Sequence, residues 1–463
     1  MLLSSLGTSI ANVGLPTFAS AFSASFQDVQ WVVLAYLLAS TTLIVSVGRL
    51  GDIAGRRRLL LAGIVLFTLA SVLCGVAPTL WLLIAARAAQ GLGAAIMMAL
   101  SMAFVGDTVP REKTGSAMGL LAAMSAIGTA LGPSLGGVLI AGPGWRAIFL
   151  VNAPLGLLTF LIAYRWLLVD RQGPKNAPKK GPNADRPGFD TIGTLLLALT
   201  LAAYALAVTI GRGSFGPLNV ALLLAAVVGA GLFWRAEARA ASPLIRLAMF
   251  RDPVLSASLA ISALVSTVLM ATLVVGPFYL SRALGLDAAG VGLALSVGPL
   301  VVALGGVPAG GIADRFGAQR MTIAGLIGIS AGSVILAMLP APLGVAGYIA
   351  PIVVLTVGYA LFQTANNTAV MTDIPPDRRG VISGMLNLSR NLGLITGASV
   401  MGAVFALASA TIDITTAQPE PVATGMRITF AVAAILIVVA LAIAVGTYRR
   451  TLRSRALASA GST

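Results

Sequence analysis

The sequence predicts an all-α integral membrane protein with many transmembrane helices, and three observations support this. Of its 463 residues, 58% are hydrophobic and only 10% are charged, whereas a soluble domain carries about 25% charged residues. The apolar residues form runs of about 20, the length that an α-helix needs to cross a bilayer. Charged residues, Pro and Gly separate these runs. A soluble globule, a disordered chain and a disulfide scaffold are therefore excluded.

The absence of certain residues and motifs narrows the function further. The sequence has no histidine and one cysteine, Cys74, which excludes His-ligated metal sites and Ser-His-Asp catalysis. It also lacks the G-x-x-x-x-G-K-[ST] phosphate loop, which excludes an ATP-driven pump formed by this chain alone. We therefore expect no enzyme, no cofactor and no metal.

The apolar runs predict 14 transmembrane helices, an even number that places both termini on one side of the membrane. The predicted spans are 2–23, 29–49, 59–77, 79–104, 115–140, 145–167, 189–210, 217–234, 253–280, 286–310, 321–340, 343–372, 380–408 and 424–447.

The basic residues predict the orientation. Of the 30 Lys and Arg, 24 fall in loops on the side of the two termini, and four fall on the opposite side. Cytoplasmic loops carry such an excess, so both termini should be cytoplasmic and the protein should lie in the cytoplasmic (inner) membrane. The net charge of +15 is then explained by topology and lipid headgroups, and no nucleic-acid partner is needed.

Two segments of the sequence repeat each other. Residues 48–58 read GRLGDIAGRRR and residues 310–320 read GGIADRFGAQR, each after the second helix of a predicted half. Repeated halves are typical of secondary transporters. The expected organisation is a six-helix half (1–168), a cytoplasmic linker (169–188), an inserted helix pair with its following loop (189–252), a second six-helix half (253–448) and a cytoplasmic tail (449–463).

These segments, with other motifs, resemble the major facilitator superfamily. Residues 48–58 are similar to its G-x-L-x-D-x-x-G-R-[RK] loop, and residues 87–91 (RAAQG) to its R-x-x-Q-G element. Residues 6–16 look like its first-helix L-D-x-T-I-V-N-V-A-L-P element. With 14 helices, the match points to the drug:proton antiporter branch. The resemblance implies a monomeric multidrug efflux transporter that exports amphipathic compounds by alternating access in exchange for protons, and that could confer antibiotic resistance.

The repeated segments are expected to form a conformational latch. Glycines allow close backbone approach, and an Asp can satisfy helix N-terminal amides or pair with an Arg in one conformation only. The alternative is a purely topological anchor of positive charge. The expected latch residues are Gly48, Asp52, Gly55, Arg56, Asp314 and Arg315.

Polar residues inside the predicted helices are candidates for coupling and for the wall of a substrate cavity. Buried polar groups are costly in a membrane, so each is a functional hypothesis. The alternatives are hydrogen bonds between helices and, for the arginine on the fourth helix, a structural ion pair or a carbonyl clamp. On the first helix, Ser5, Thr8, Ser9 and Asn12 are predicted to share one face. The candidates are Thr8, Asn12, Arg87, Gln90, Gln363, Asn366, Asn367, Asn387 and Arg390.

The fifth predicted helix carries a glycine pattern that resembles the G-x-x-x-G-P-x-x-G-G element of the family's antiporters. Small residues let helices pack closely and proline permits a kink, while the antiport role is what the resemblance adds. The residues are Gly128, Gly132, Pro133, Gly136 and Gly137.

The sequence departs from the family in one position of the first helix. The family's Asp is replaced by Gly7, and each of the 15 Asp and Glu lies in a predicted loop or near a helix end. We therefore expect a preference for neutral or anionic amphiphiles, and a weaker dependence on a pH gradient than in relatives that carry the acid. An uncoupled or metabolite exporter or uniporter on the same fold is the alternative, and a non-transporting membrane receptor or scaffold is a third possibility.

Overall fold

A computed structural model describes residues 1–108, 114–167, 190–209, 216–240, 250, 252–339, 343–371, 376–409 and 418–460. Within these ranges the regular structure is helical, with α-helices joined by short 3-10 and π-helical turns. The predicted all-α fold class is confirmed. The chain divides into two compact units, Met1–Arg246 and Leu247–Thr463.

The N-terminal unit begins with a broken helix and ends with a helix pair. Its α-helices are α1 (Leu2–Ser9), α2 (Leu15–Ala21), α3 (Phe26–Ala54), α4 (Arg56–Val76), α5 (Leu80–Thr108), α6 (Thr114–Ala141), α7 (Ala147–Leu150), α8 (Asn152–Trp166), α9 (Thr191–Thr209) and α10 (Pro217–Arg239). Helix α5 packs against α3 and α4, and α1 packs against α6. Helices α9 and α10 pack on each other, and α9 contacts α3 through a 2.8 Å hydrogen bond between the Ser46 and Thr194 hydroxyls.

The C-terminal unit has a similar order of helices. They are α11 (Pro253–Phe278), α12 (Ala288–Phe316), α13 (Ala318–Ala337), α14 (Gly344–Met371), α15 (Pro376–Thr396), α16 (Gly402–Ala408) and α17 (Pro419–Ala460). Helix α14 packs against α12 and α13, as α5 packs against α3 and α4, and α11 packs against α15, as α1 packs against α6.

Glycines at one helix crossing show how closely the two units repeat each other. A Cβ on Gly93 of α5 would stand 2.8 Å from the carbonyl oxygen of Gly63 on α4. A Cβ on Gly358 of α14 would stand 2.7 Å from the carbonyl oxygen of Gly325 on α13. Neither contact leaves room for a side chain, so both crossings require glycine. The internal repeat in the sequence therefore corresponds to a repeated packing of helices.

The first predicted span is not one continuous helix. Helix α1 ends at Ser9, a 3-10 turn covers Asn12–Gly14, and α2 then begins at Leu15 with Pro16 in its first turn. Pro16 has no N–H to donate to the carbonyl four residues earlier, and its ring crowds that carbonyl. Proline therefore starts a new helix here and interrupts the old one.

Residues 48–54, which the sequence places in a cytoplasmic turn, instead form the last turns of α3. Gly55 alone separates Ala54 at the end of α3 from Arg56 at the start of α4, with φ of 89°. Gly317 connects α12 to α13 in the same way, with φ of 90°. Side chains other than glycine rarely adopt this backbone conformation, so the repeated glycine has a local structural reason.

Ten helices within the described ranges are long and apolar enough to cross a membrane, and Ile127–Ala141 and Thr191–Ala207 are shorter apolar helices. The structure thus agrees with a multi-pass membrane protein. The count of 14 spans stays a prediction.

Candidate functional site

The two arginines predicted inside the membrane have contrasting surroundings, and Arg87 on α5 is fully enclosed. Its side chain is 0% exposed. Its Nε donates to the carbonyl oxygen of Val32 on α3 at 2.9 Å. Its Nη1 lies 2.9 Å from the carbonyl oxygen of Gly7 on α1 and 2.6 Å from Oε1 of Gln90. The guanidinium thus ties three helices together.

Gln90 extends this network to a fourth helix. Its Nε2 donates to the hydroxyl of Ser71 on α4 at 2.7 Å, and Gln90 is also fully buried. The ring of Tyr36 lies 4.3 Å from the Arg87 guanidinium carbon, close enough for a cation–π interaction. Carbonyl dipoles and an aromatic face therefore stabilise this buried charge. The arrangement agrees with the carbonyl-clamp alternative.

The polar residues of the first helix do not share a single face. Ser5 contacts the hydroxyl of Ser125 on α6 at 2.6 Å, and the Ser9 hydroxyl lies 3.4 Å from the Gly128 carbonyl oxygen. Thr8 points to another neighbour, with its hydroxyl 3.1 Å from that of Tyr36 on α3. Asn12 is buried in the 3-10 turn, beyond the end of α1. The predicted stripe is wrong, because Ser5 and Ser9 face α6, Thr8 faces α3, and Asn12 lies beyond the end of α1.

A cavity of about 150 Å³ lies within the C-terminal unit. It brings together the predicted polar residues of α14 and α15 and adds residues of α11. The lining residues are Ser262, Ser266, Tyr359, Phe362, Gln363, Asn366, Asn367, Leu386, Asn387 and Arg390. A carbonyl or carboxylate group entering this cavity would meet several amide and hydroxyl donors beside one guanidinium.

Several buried groups of this cavity have no hydrogen-bond partner within the described part of the chain. Ser266 and Asn366 are each 3% exposed and Tyr359 is 5% exposed, and none of the three side chains forms a hydrogen bond there. Nearby hydroxyls behave differently, since Thr267 on α11 bonds the Gly393 carbonyl at 3.1 Å. Buried polar groups are nearly always hydrogen-bonded, so the three groups are available to a bound molecule.

Arg390 differs from Arg87 in lacking an acceptor. It is half-buried on α15, and its guanidinium forms neither a hydrogen bond nor an ion pair with any described residue. A cation in an enclosed site attracts anionic groups more strongly than it would in water, because the local dielectric constant is lower.

Five residues of the cavity wall are not among the predicted candidates: Leu386 on α15 and four residues on α11 and α14. Ser262 and Ser266 stand one helical turn apart on α11, and Tyr359 and Phe362 stand one turn before Gln363 and Asn366 on α14. The four-residue spacing is the signal that could have identified them. Serine in a membrane helix usually bonds its own backbone, so the two serines alone do not indicate a cavity.

The expected latch residues lie around the two glycine connections. Arg56 begins α4, and Arg315 lies over the ring of Phe316, with its guanidinium carbon 5.6 Å from the ring centroid. Arg57, which follows Arg56 on α4, donates from Nη2 to the carbonyl oxygen of Tyr164 on α8 at 2.8 Å. Gly48 lies inside α3. The side chains of Asp52 and Asp314 lie outside the described part of the structure, so the latch stays a prediction.

The glycines of α6 face α1 and the turn after it. A Cβ on Gly128 would fall against the carbonyl oxygen of Leu2, and one on Gly132 against the Ser9 hydroxyl. A Cβ on Gly136 would stand 2.7 Å from a methyl group of Val13. Pro133 lies inside the same helix, and Gly137 is buried. This geometry describes close helix packing, and the antiport role stays a prediction.

Comparison with known proteins places the chain among transporters. The family model of the Major Facilitator Superfamily matches residues 1–398. The multidrug resistance protein Stp of Mycobacterium tuberculosis is 33% identical over 89% of this chain and 76% of its own length. The uncharacterised transporter YebQ of Escherichia coli is 32% identical over 86% of this chain and 85% of its own.

A solved structure supports the fold. A bacterial homologue of the human lysosomal transporter Spinster, crystallised in an inward-facing and unoccupied conformation, gives a TM-score of 0.70. The match covers 98% of this chain and 95% of that one, at 17% sequence identity.

Proposed function

Since the chain belongs to the Major Facilitator Superfamily, and is thus a multi-pass membrane transporter rather than an enzyme, we propose that it exports amphipathic organic compounds by alternating access. The multidrug resistance protein among its relatives supports this proposal. The polar cavity of the C-terminal unit, with its unbonded buried hydroxyl and amide groups, is the observation that carries it. Neutral or anionic amphiphiles such as drugs, dyes and antibiotics are the substrates we propose.

The positions of the acids favour export with weak proton coupling. Asp28 accepts hydrogen bonds from the N–H and hydroxyl of Ser25 and caps α3. Asp287 caps α12 by accepting from the Gly290 N–H at 2.8 Å. Both carboxylates have a structural role as caps at helix N-termini, where negative charge is favoured. The second candidate function, an uncoupled exporter or uniporter, is supported by this same observation and by Gly7.

Transport into inverted membrane vesicles separates these functions. We expect accumulation of an anionic dye that changes less than about twofold when the pH gradient is dissipated, a difference of under ~0.5 kcal/mol. A lipophilic cation of the same size should accumulate more slowly. Strong, gradient-driven accumulation of the cation would contradict the proposal. Absence of transport for every compound, at normal expression, would favour a receptor or scaffold.

We also place both termini and the 169–188 linker in the cytoplasm, because 24 of the 30 basic residues lie on that side in the predicted topology. The native Cys74 is buried, so a Lys180→Cys variant offers a single accessible thiol. It should react with an impermeant reagent in inverted vesicles, and reaction in intact cells would show the opposite orientation.

The latch predicts a separate effect of Asp52 on turnover. We expect Asp52→Asn to lower the maximal transport rate by about tenfold, equivalent to ~1.4 kcal/mol of lost stabilisation of one conformation. The substrate concentration at half-maximal rate should change little. Asp28→Asn, which removes a capping carboxylate elsewhere on α3, serves as the control. Normal turnover by Asp52→Asn at equal expression would reduce the segment to a topological anchor.

A further inference from the structure

We propose that the cavity of the C-terminal unit is a subsite for an aromatic carboxylate, in which Arg390 binds the carboxylate and aromatic side chains hold the ring. This inference rests on the proposed transport function and names the substrate group that the cavity selects. Its observations are an unmatched guanidinium, unbonded buried polar groups and a cavity of about 150 Å³.

Comparison of the two units shows that the same close helix contact has different polar neighbours in each unit. A Cβ on Gly128 of α6 would stand 3.1 Å from the Cβ of Ser5 on α1. A Cβ on Gly393 of α15 would stand 2.7 Å from the Cβ of Ser266 on α11. Each glycine would also meet a backbone carbonyl oxygen of the opposing helix. Ser5 and Ser266 therefore occupy equivalent places in the two units.

The neighbours of these two serines differ in character. Ser125 stands three residues before Gly128, and Arg390 stands three residues before Gly393. In the N-terminal unit, Ser5 and Ser125 share a 2.6 Å hydrogen bond that closes the helix contact. In the C-terminal unit, Ser266 has no such bond and Arg390 lines a cavity. The α11–α15 contact thus keeps its close packing, while Arg390 beside it lines a cavity and has no acceptor among the described residues.

The size and wall of the cavity define the rest of the ligand. A cavity of about 150 Å³ holds one benzene ring. Phe362 and Tyr359 supply aromatic surface, against which a second ring packs in edge or offset contact. A guanidinium binds carboxylate through two parallel hydrogen bonds. Asn366 can bond a further polar substituent of the ring.

The positive charge of Arg390 excludes cationic ligands from the cavity. The described residues around the cavity include one cation and no carboxylate. An ammonium group would therefore meet like charge without compensation, in surroundings where charges are poorly screened. The subsite should accept benzoate, accept the neutral benzamide weakly, and reject benzylamine.

Binding of benzoate to the purified full-length protein in detergent tests the proposal, measured by ligand-observed NMR titration. We expect benzoate to bind, benzamide of the same shape to bind at least tenfold more weakly, and benzylamine not to compete. Acetate, an anion without a ring, should also fail to compete with benzoate at the same concentration. Equal affinity for benzoate and benzamide, or binding of benzylamine, would overturn the assignment.

Substitutions of cavity residues test whether benzoate binds in this cavity. Arg390→Met should weaken benzoate binding by at least tenfold, because it removes a charge-assisted hydrogen-bonding pair. Arg427→Met is the matched control, since Arg427 donates to the Leu339 carbonyl at 3.0 Å and does not line the cavity. If Arg390→Met is unstable, Asn366→Leu and Arg390→Lys replace it, with intermediate losses expected. Unchanged binding in all of these variants would overturn the proposal.

The outcomes also separate this inference from the transport function. Export of dyes by a protein that does not bind benzoate would refute the aromatic carboxylate subsite and leave the exporter intact. Arg390-dependent benzoate binding by a protein that transports nothing would refute the exporter and retain the site.

Discussion

Replacement of Arg87 by methionine is expected to destabilise the protein strongly, lowering its apparent melting temperature in detergent by about 10 °C. The guanidinium donates to the carbonyl oxygens of Val32 and Gly7 and to Gln90. Methionine fills a similar volume but removes the donor of these three acceptors, and each buried polar group left without a partner costs about 1–3 kcal/mol. Because the contacts join α1, α3 and α5, the loss should affect the whole unit.

Two other arginines provide matched controls for this prediction. Arg146→Met removes an exposed side chain with a 3.3 Å hydrogen bond to the Ala77 carbonyl, and should lower the melting temperature by less than about 3 °C. Arg390→Met should leave the melting temperature near that of wild type and impair transport. A stable but inactive Arg87→Met protein would instead assign Arg87 to coupling, the role that the family resemblance implies.

Restoring the family's first-helix acid as Gly7→Asp is expected to make cation export dependent on pH. The variant also needs space for the new side chain. The Gly7 carbonyl oxygen lies 2.9 Å from Nη1 of Arg87, so an Asp here would place its carboxylate near the guanidinium. A nearby cation favours the ionised form of a carboxyl. Such a carboxylate would offset the positive charge that now disfavours cationic substrates. Protonation of the carboxylate would remove this compensation, so a bound cation would be released.

Phe67 decides whether the acid can be accommodated. A Cβ on Gly7 would stand 2.8 Å from Cζ of Phe67, and the Phe67 ring is 0% exposed. We therefore expect Gly7→Asp alone to express poorly. Gly7→Asp with Phe67→Leu should fold, and its accumulation of a lipophilic dye cation in inverted vesicles should rise at least fivefold with an imposed pH gradient, about 1 kcal/mol.

The single variant Phe67→Leu is the control, and its cation transport should stay low and insensitive to the gradient. A wild-type protein that already exports the cation in a strongly gradient-driven manner would contradict this interpretation of Gly7. Loss of that activity in Asp28→Asn, or in a variant of Asp107 or Asp287, would then identify the acid responsible.

The class of this protein follows from its amino-acid composition and from the length of its apolar runs. Apolar runs of bilayer length and a low charge content leave only a helical membrane protein, because backbone polar groups must be satisfied within each helix in lipid. The repeated segments and the motifs led to the major facilitator superfamily, and this prediction is confirmed. The polar residues of α14 and α15 were expected to line a cavity, and the structure brings them together in one.

The environment of each intramembrane arginine depends on the packing of helices that are distant in sequence. Arg87 finds its carbonyl acceptors 55 and 80 positions away in the chain, while Arg390 faces a cavity wall formed partly by Ser262 and Ser266 of another helix. No local pattern distinguishes these cases, because both arginines stand beside polar residues on apolar helices. A buried charge takes its role from the acceptors that packing brings within hydrogen-bonding distance, and those acceptors belong to segments remote in sequence.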